Sequence, residues 1–312
     1  MKKSICILGS TGSIGVLSLD IVNKKKKFFQ IYALLANKNY NLILKQIKKY
    51  KPKYYIINDK KVFKKVKKNT KIKNVIILNN LKDIISKKKI NITISAIPGI
   101  AGLEPTLKMI KLSKKLLIAN KESIICGWNL IYKNAKINKT KIIPIDSEHF
   151  SIMKLINNHK IQEIDKIYIT ASGGPFLNRK INQLKNISPK DALKHPKWKM
   201  GKKITIDSST LMNKVFELIE AEKLFNLPPN MIEILIHPDS LVHAIIKFKN
   251  GLYKLLYFET DMSIPIGNAL FENNFEIKKN MSKKYRFKEN SLLKDLNFLN
   301  VDRKKFPAIK LK

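Results

Sequence analysis

Apolar residues in the first half of the chain come in short blocks rather than in long helical stripes. Ile5–Leu8, Ile31–Leu35, Tyr54–Ile57, Val75–Leu78, Ile92–Ala96 and Leu116–Ala119 read as buried strands, with lysine-rich helical stretches between several of them. Strands alternating with helices predict a doubly wound parallel sheet, an α/β fold. A further run, Ile142-Ile143, leads into Pro144-Ile145-Asp146-Ser147-Glu148-His149.

The polar positions that interrupt this pattern carry the candidate chemistry. Behind the first strand stands Gly9-Ser10-Thr11-Gly12-Ser13-Ile14-Gly15, and a helix-like segment follows through Leu17, Leu19, Ile21 and Val22. Strand, glycine-rich turn and helix form the context of a dinucleotide fingerprint, in which glycines admit a pyrophosphate and the helix start offers free N–H groups. The spacing G-x-x-G-x-x-G departs from the usual G-x-G-x-x-G. Thr11, Gly12, Ser13 and Ile14 are the residues expected to hold the cofactor. The second strand ends in Ala36-Asn37-Lys38-Asn39, without the acidic residue that would bind a ribose 2′-hydroxyl. A lysine flanked by amides suits a 2′-phosphate, so NADP(H) is expected rather than NAD.

Asp146 and Glu148, one residue apart, end a segment that reads as a buried strand, so they are expected to point to the same side. Two converging carboxylates suit a divalent cation, Mg²⁺ or Mn²⁺, although a lone D-x-E is often a solvated strand end. Farther on, Ser208 to Thr210 supply N-cap candidates for a helix running to about Asn226. On it Leu211, Val215, Leu218 and Ile219 share one face, and Asn213, Glu217 and Glu220 the opposite one. The Ser172-Gly173-Gly174 turn and the expected helix start at Ser208 both offer hydroxyls and backbone N–H groups to a phosphate. His243, on an apolar strand, reads equally as a core histidine or a site residue.

Composition narrows the classes. The 312 residues suffice for two domains, and 44% are hydrophobic. The formal charge of +39 is almost wholly lysine, since Arg179, Arg286 and Arg303 are the only arginines. Runs such as Lys24 to Lys27 lack the arginines and clustered aromatics of a nucleic-acid site, so no specific nucleic-acid partner is expected. No apolar run is long enough to span a bilayer. The opening Met1-Lys2-Lys3 and apolar run briefly imitate a signal peptide but stop at Gly9, which reads as a strand and its turn. With only Cys6 and Cys126, a disulfide-free cytoplasmic protein is expected.

Seven blocks in order carry a more specific resemblance. They are the glycine turn, Asn120-Lys121-Glu122-Ser123, Pro144 to His149, Ala171-Ser172-Gly173-Gly174-Pro175-Phe176, His195-Pro196-Lys197-Trp198-Lys199-Met200-Gly201, Asp207 to Lys214 with Glu217, and His237-Pro238-Asp239-Ser240-Leu241-Val242-His243. Together they resemble the 1-deoxy-D-xylulose 5-phosphate reductoisomerases, NADPH enzymes of the non-mevalonate isoprenoid pathway.

The resemblance implies a Rossmann-like NADPH domain over 1–145 and an α+β catalytic and dimerisation domain over 146–271. Residues 272–312 would be a linker and the start of a truncated C-terminal helical domain. It implies Asp146, Glu148 and Glu217 as ligands of Mg²⁺ or Mn²⁺. Lys121, Glu148 and His195 would be catalytic. Thr11 to Ile14, Asn37, Lys38, Asn39, Asn120, Glu122 and Gly201 would contact the cofactor. Lys121, Ser147, Glu148, Ser172, His195, Ser208, Asn213, Lys214 and Glu217 would bind a small phosphorylated sugar, with Ser172, Ser208, Asn213 and Lys214 gripping the phosphate. His195 to Gly201 would be a flap bearing Trp198, and the enzyme a homodimer.

Two positions depart from the family pattern: Ser263 stands where it has arginine, and Asn37 where it usually has glycine. The competing readings are a simple NADP-dependent dehydrogenase of a phosphorylated sugar or semialdehyde, an inactive truncated homologue, and a lysine-rich nucleic-acid or scaffold protein.

Overall fold

The computed structural model describes residues 2–69, 74–86, 88–198, 201–272 and 295–311, which fall into two compact units. The first comprises the chain up to Ile145 and takes a later segment beginning at Pro265. It is built on β1 (Lys3–Leu8), α1 (Ser13–Lys24), β2 (Phe29–Ala36), α2 (Tyr40–Tyr50), β3 (Tyr54–Ile57), α3 (Lys60–Asn69) and β4 (Ile76–Leu78). Then follow β5 (Ile90–Ser95), α4 (Leu103–Leu112), β6 (Ser113–Ile118), α5 (Lys121–Ile137) and β7 (Lys141–Pro144). The strands pair in parallel in the order β4-β3-β2-β1-β5-β6-β7. This is the doubly wound sheet expected from the alternating apolar blocks. Burial on both faces explains the continuous apolar runs: every residue of β3 and the last four of β1 are inaccessible.

Strand order reverses between β1 and β5, and the glycine turn sits at the carboxyl end of β1 at that switch point, where dinucleotides bind in this architecture. Gly9 has φ +83°, and a Cβ there would lie 2.6 Å from the carbonyl oxygen of Ala96, just past β5. A side chain is therefore excluded twice, by conformation and by space. The turn is held from beneath by a buried network. Ser10 Oγ donates to Gln46 Oε1 at 2.8 Å, Tyr55 Oη donates to the same oxygen at 2.7 Å, and Gln46 Nε2 donates to the Ser10 carbonyl at 2.7 Å. Gln46→Leu strips partners from the Ser10 carbonyl and the Tyr55 hydroxyl in a dry interior. The expected loss is about 2–3 kcal/mol of stability, read from the urea midpoint. An unchanged midpoint would show the network to be incidental.

The second unit runs from Asp146 to Ile264 and takes in 295–311. It contains α6 (Ser147–Leu155), β8 (Ile164–Ala171), α7 (Pro189–Ala192), α8 (Lys202–Ser209) and α9 (Met212–Phe225). They are followed by β9 (Ile232–Ile236), β10 (Val242–Phe248), β11 (Tyr253–Tyr257) and β12 (Leu299–Asn300). The mixed sheet has the order β11-β10-β8-β9-β12, with β8 and β9 parallel and the other pairs antiparallel. Helices α6 and α9 pack on it through Ile152, Leu218 and Ala221 against Ile167, Ile169 and Ile246. A second cluster joins Leu211 and Val215 to Ile236, Phe306 and Ile309. One further helix, α10 (Ser263–Phe271), begins at Ser263, whose amide donates to Asp261 Oδ1 at 2.8 Å. Of the segment expected as linker and helical start, residues 273–294 and 312 lie outside the described residues. No described helix is long and apolar enough to cross a membrane.

Two local expectations fail. The strand ends at Pro144, so Asp146 and Glu148 do not lie on an extended strand. Asp146 is instead the N-cap of α6, its Oδ1 accepting from the Glu148 amide at 3.3 Å. The expected single helix from Ser208 to Asn226 is two helices. Ser208 lies in the last turn of α8, Leu211 adopts a left-handed conformation (φ 60°), and α9 starts at Met212. Ser208 to Thr210 therefore end one helix rather than cap the next.

Candidate active site

In the first unit the cofactor candidates cluster at the carboxyl edge of the sheet. Gly12 is the N-cap of α1 and has no side chain to cap it, which leaves the first-turn amides at Ser13 to Gly15 open to an anion. Thr11, Gly12, Ser13 and Ile14 are all at least partly exposed there. Asn37, Lys38 and Asn39 follow β2 on the surface, and Asn39 Oδ1 accepts from the Leu42 amide as the cap of α2. Asn120 caps α5 by accepting from the Ser123 amide at 2.7 Å, and its Nδ2 donates to the Gly99 carbonyl at 3.0 Å. Lys121, which opens α5, is buried, and Glu122 is half-buried.

The second unit gathers the remaining candidates. The change of direction at the head of α6 brings Asp146 and Glu148 together, and α9 supplies Glu217 from the other side. One carboxylate oxygen from each lies within 4.8 Å of the other two. Capping geometry thus achieves the convergence that strand alternation was expected to give. On α9 the face carrying Asn213, Glu217 and Glu220 is buried, like the opposite face carrying Val215 and Leu218. The polar face is an interior one.

Lys214 stands among these acids. Its Nζ lies 2.6 Å from Glu217 Oε2 and contacts Glu148 Oε1. Asn213 Nδ2 donates to Glu217 Oε1, and Ser147 Oγ donates to Glu148 Oε2 at 2.5 Å.

Two residues not anticipated as site groups complete the cluster. His149, fully buried, donates from Nε2 to the Glu217 carbonyl at 2.8 Å, and its Nδ1 faces Asp146 Oδ1 and Glu220 Oε2, each at 3.4 Å. Burial alone would lower the His149 pKa, but Glu220, Asp146 and Glu217 outweigh it and hold the ring protonated, with a pKa of about 9. The adjacency of His149 to Glu148 and the place of Glu220 one turn from Glu217 were the available signals.

With every acid ionised, Asp146, Glu148, Glu217 and Glu220 outnumber the cations Lys214 and His149 by two. That residual charge, in an oxygen-only donor set, fits a hard divalent ion. Burial and then Glu217 push the Glu148 carboxyl up to about 8, against the pull of Lys214. A proton on Glu148 competes with a metal ion, so Mn²⁺ affinity is expected to climb up to tenfold per pH unit below about 8 and to level off above it. Affinity that stays flat from about pH 6 to pH 9 would contradict this assignment.

Of the four phosphate candidates, Asn213 and Lys214 bond to the acids, while Ser172 and Ser208 form a separate corner. Gly174 has φ +67°, and a Cβ there would lie 2.6 Å from the Ser208 carbonyl oxygen. The glycine is what lets the Ser172-Gly173-Gly174 turn press against the end of α8. Ser172 Oγ accepts from the Gly174 amide at 3.1 Å and meets His195 Nε2 at 3.0 Å. His195 Nδ1 accepts from the Trp198 amide at 2.9 Å and the Lys197 amide at 3.2 Å. The proton is accordingly assigned to Nε2, which donates to Ser172. Burial, with help from Lys214, lowers the His195 pKa to about 4, so the ring is neutral at physiological pH.

Trp198 meets the His243 ring edge-on at 6.0 Å, and His243 stacks on Phe258 with Nε2 on the Phe258 carbonyl at 3.1 Å. His243 is a satisfied core histidine. Within the flap segment, Gly201 is exposed as the N-cap of α8, and Lys199 and Met200 lie outside the described residues.

A family model described as 1-deoxy-D-xylulose 5-phosphate reductoisomerase matches residues 5–127, and one described as the C-terminal domain of that enzyme matches 142–225. The 1-deoxy-D-xylulose 5-phosphate reductoisomerase of Pelagibacter ubique (strain HTCC1062) is 51% identical, covering 99% of this chain and 79% of its own length. That of Wolbachia pipientis wMel is 41% identical over 99% of this chain and 78% of itself. Among solved structures, the Zymomonas mobilis enzyme in complex with NADPH has a TM-score of 0.87 at 32% identity, covering 100% of this chain and 80% of its own. A DOX-P reductoisomerase in complex with NADPH, fosmidomycin and magnesium has a TM-score of 0.86 at 35% identity, over 99% of this chain and 78% of its own.

Proposed function

The chain belongs to the 1-deoxy-D-xylulose 5-phosphate reductoisomerase family, and from that premise we propose that its two units divide cofactor and substrate chemistry between them. It is an NADPH- and divalent-metal-dependent enzyme that rearranges 1-deoxy-D-xylulose 5-phosphate and reduces the product to 2-C-methyl-D-erythritol 4-phosphate. The observation that carries the site assignment is the convergence of Asp146, Glu148 and Glu217. A simple NADP-dependent dehydrogenase has no use for such a cage.

When bound, the divalent ion supplies Lewis acidity and NADPH supplies hydride. Everything else falls to side chains of this chain. Asp146, Glu148 and Glu217 would hold the ion, with Asn213 bonded to the Glu217 carboxylate and His149 facing Asp146. Ser172, Ser208, Asn213 and Lys214 grip the phosphate, anchoring the substrate far from the carbons that react. Neutral His195 donates a hydrogen bond at the same corner, and Trp198 excludes water. Lys121, Ser147 and Glu148 contact the reacting end of the substrate. Thr11 to Ile14 take the cofactor pyrophosphate at the head of α1, while Asn37, Lys38 and Asn39 receive the 2′-phosphate. Asn120, Glu122 and Gly201 complete the cofactor contacts.

The reading extends to a cytoplasmic homodimer. Exposed apolar side chains on and beside the edge strand β11, Leu252, Tyr253 and Leu255, support self-association. A monomer in sedimentation velocity at micromolar concentration would remove that element.

The decisive assay follows NADPH oxidation by the 312-residue protein with 1-deoxy-D-xylulose 5-phosphate. Turnover is expected with Mg²⁺ or Mn²⁺ and none after chelation. Metal-independent turnover of another phosphorylated sugar would instead favour the dehydrogenase.

A further inference from the structure

Lys214 occupies a position that a metal ion also needs. Its ammonium sits between Glu148 and Glu217, 2.6 Å from the Glu217 Oε2 atom, and all three side chains are buried. A divalent ion bound by those oxygens would sit about 2.0–2.6 Å from them, well inside the space the ammonium takes up. The two cations cannot share the cage.

The lysine has somewhere else to go. It lies in the first turn of α9, directly after Leu211 to Asn213, where the chain turns away from Ser208. Ser208 in turn abuts the Gly174 backbone, and the same turn carries Ser172 bonded to His195. Its charge already reaches that corner, since it contributes to holding His195 neutral.

We propose that Lys214 is a resident counter-cation of the carboxylate cage, evicted by the divalent metal and then captured by the substrate phosphate, so that one side chain couples metal binding to phosphate binding. The proposal rests on the metal reading of Asp146, Glu148 and Glu217. Without metal, the ammonium offsets part of the cage's negative charge and opposes entry of a second cation. A phosphate that draws the ammonium out leaves the acids compensated by His149 alone and raises their affinity for the ion. Linkage makes the effect mutual: metal must favour phosphate by the same factor.

The test measures Mn²⁺ binding to the substrate-free 312-residue protein by electron paramagnetic resonance, with and without methyl phosphate, an anion that lacks the substrate's keto and hydroxyl chelating groups. In the wild type, methyl phosphate is expected to lower the Mn²⁺ Kd about tenfold. Lys214→Met and Lys214→Gln are each expected to bind Mn²⁺ at least about tenfold more tightly than wild type and to lose the response to methyl phosphate. The glutamine variant keeps hydrogen bonds to the acids without the charge, and it carries the comparison if circular dichroism shows the methionine variant unfolded. The wild-type response needs no variant at all. An Mn²⁺ Kd indifferent to methyl phosphate, or folded Lys214 variants that bind Mn²⁺ no more tightly, would overturn the proposal. If wild type, Lys214→Gln and Glu217→Gln all fail to bind Mn²⁺, the metal reading falls and takes the proposal with it.

Discussion

Glu217→Gln is expected to lower kcat/KM for 1-deoxy-D-xylulose 5-phosphate by about three orders of magnitude at saturating Mg²⁺ while leaving the protein folded. The amide keeps the size and shape of the carboxylate but removes one of the three anionic ligands. Lewis-acid assistance amounts to several kcal/mol of barrier lowering, and each 1.36 kcal/mol is a factor of about ten. Folding survives for a local reason. Lys214 still contacts Glu148, and the substitution removes one negative charge from a cluster in which acids outnumber cations. Steady-state kinetics across a Mg²⁺ titration, with circular dichroism alongside, separate loss of metal from loss of fold. Full activity at ordinary Mg²⁺ would sink the assignment of Glu217.

The second large effect lies in the other unit. Gly15→Ala places a Cβ 2.2 Å from the Gly9 carbonyl oxygen and 2.7 Å from the Ser10 Cα. Both are backbone atoms in a turn tied to the Leu35 carbonyl through the Gly9 and Ser10 amides, each at 2.9 Å, and braced by Gln46. No flexible side chain can move aside. Either α1 shifts away from the turn or the turn breaks its bonds to β2, at an expected cost of about 3 kcal/mol. NADPH affinity should fall with it, because the first-turn amides that face the pyrophosphate move too. Urea denaturation and NADPH fluorescence titration check the two consequences. A variant that matches the wild type in both would overturn the close contact of α1 with this turn.

The fold was legible where burial acts on whole elements. Continuous apolar runs marked the strands of a sheet covered on both faces, and the glycine turn marked its switch point. The boundaries in the second unit were not legible, because they depend on contacts between distant parts of the chain. Asp146 and Glu148 read as alternating strand residues because Ile142 and Ile143 precede them. Nothing local announced that Asp146 would cap a helix beginning at the next residue, although Asp is a favoured cap.

Periodicity alone separated the polar face of α9 from the apolar one without saying what covers it. That face is an interior one, since α6 brings His149 and Glu148 against it. His149 escaped notice because its value comes from Glu220 and the Glu217 carbonyl, neither of them near it in sequence. The pairing of Lys214 with the acids was equally hidden, since a lysine one turn before a glutamate reads as an ordinary surface pair on a helix.

Leu211 bears on the order in which this architecture assembles. A leucine in the left-handed region costs about 1–2 kcal/mol relative to helical backbone, so the chain has no local reason to bend there and would otherwise run on as one helix. What holds the bend is burial of that same side chain beside Phe306 and Ile309, far along the chain. Such contacts form only after a long loop has closed. The corner that sets Ser208 against Gly174 and aims Lys214 is thus held by residues about a hundred positions farther along the chain. A nascent chain released before residue 306 would own every catalytic side chain and lack the contact that arranges them.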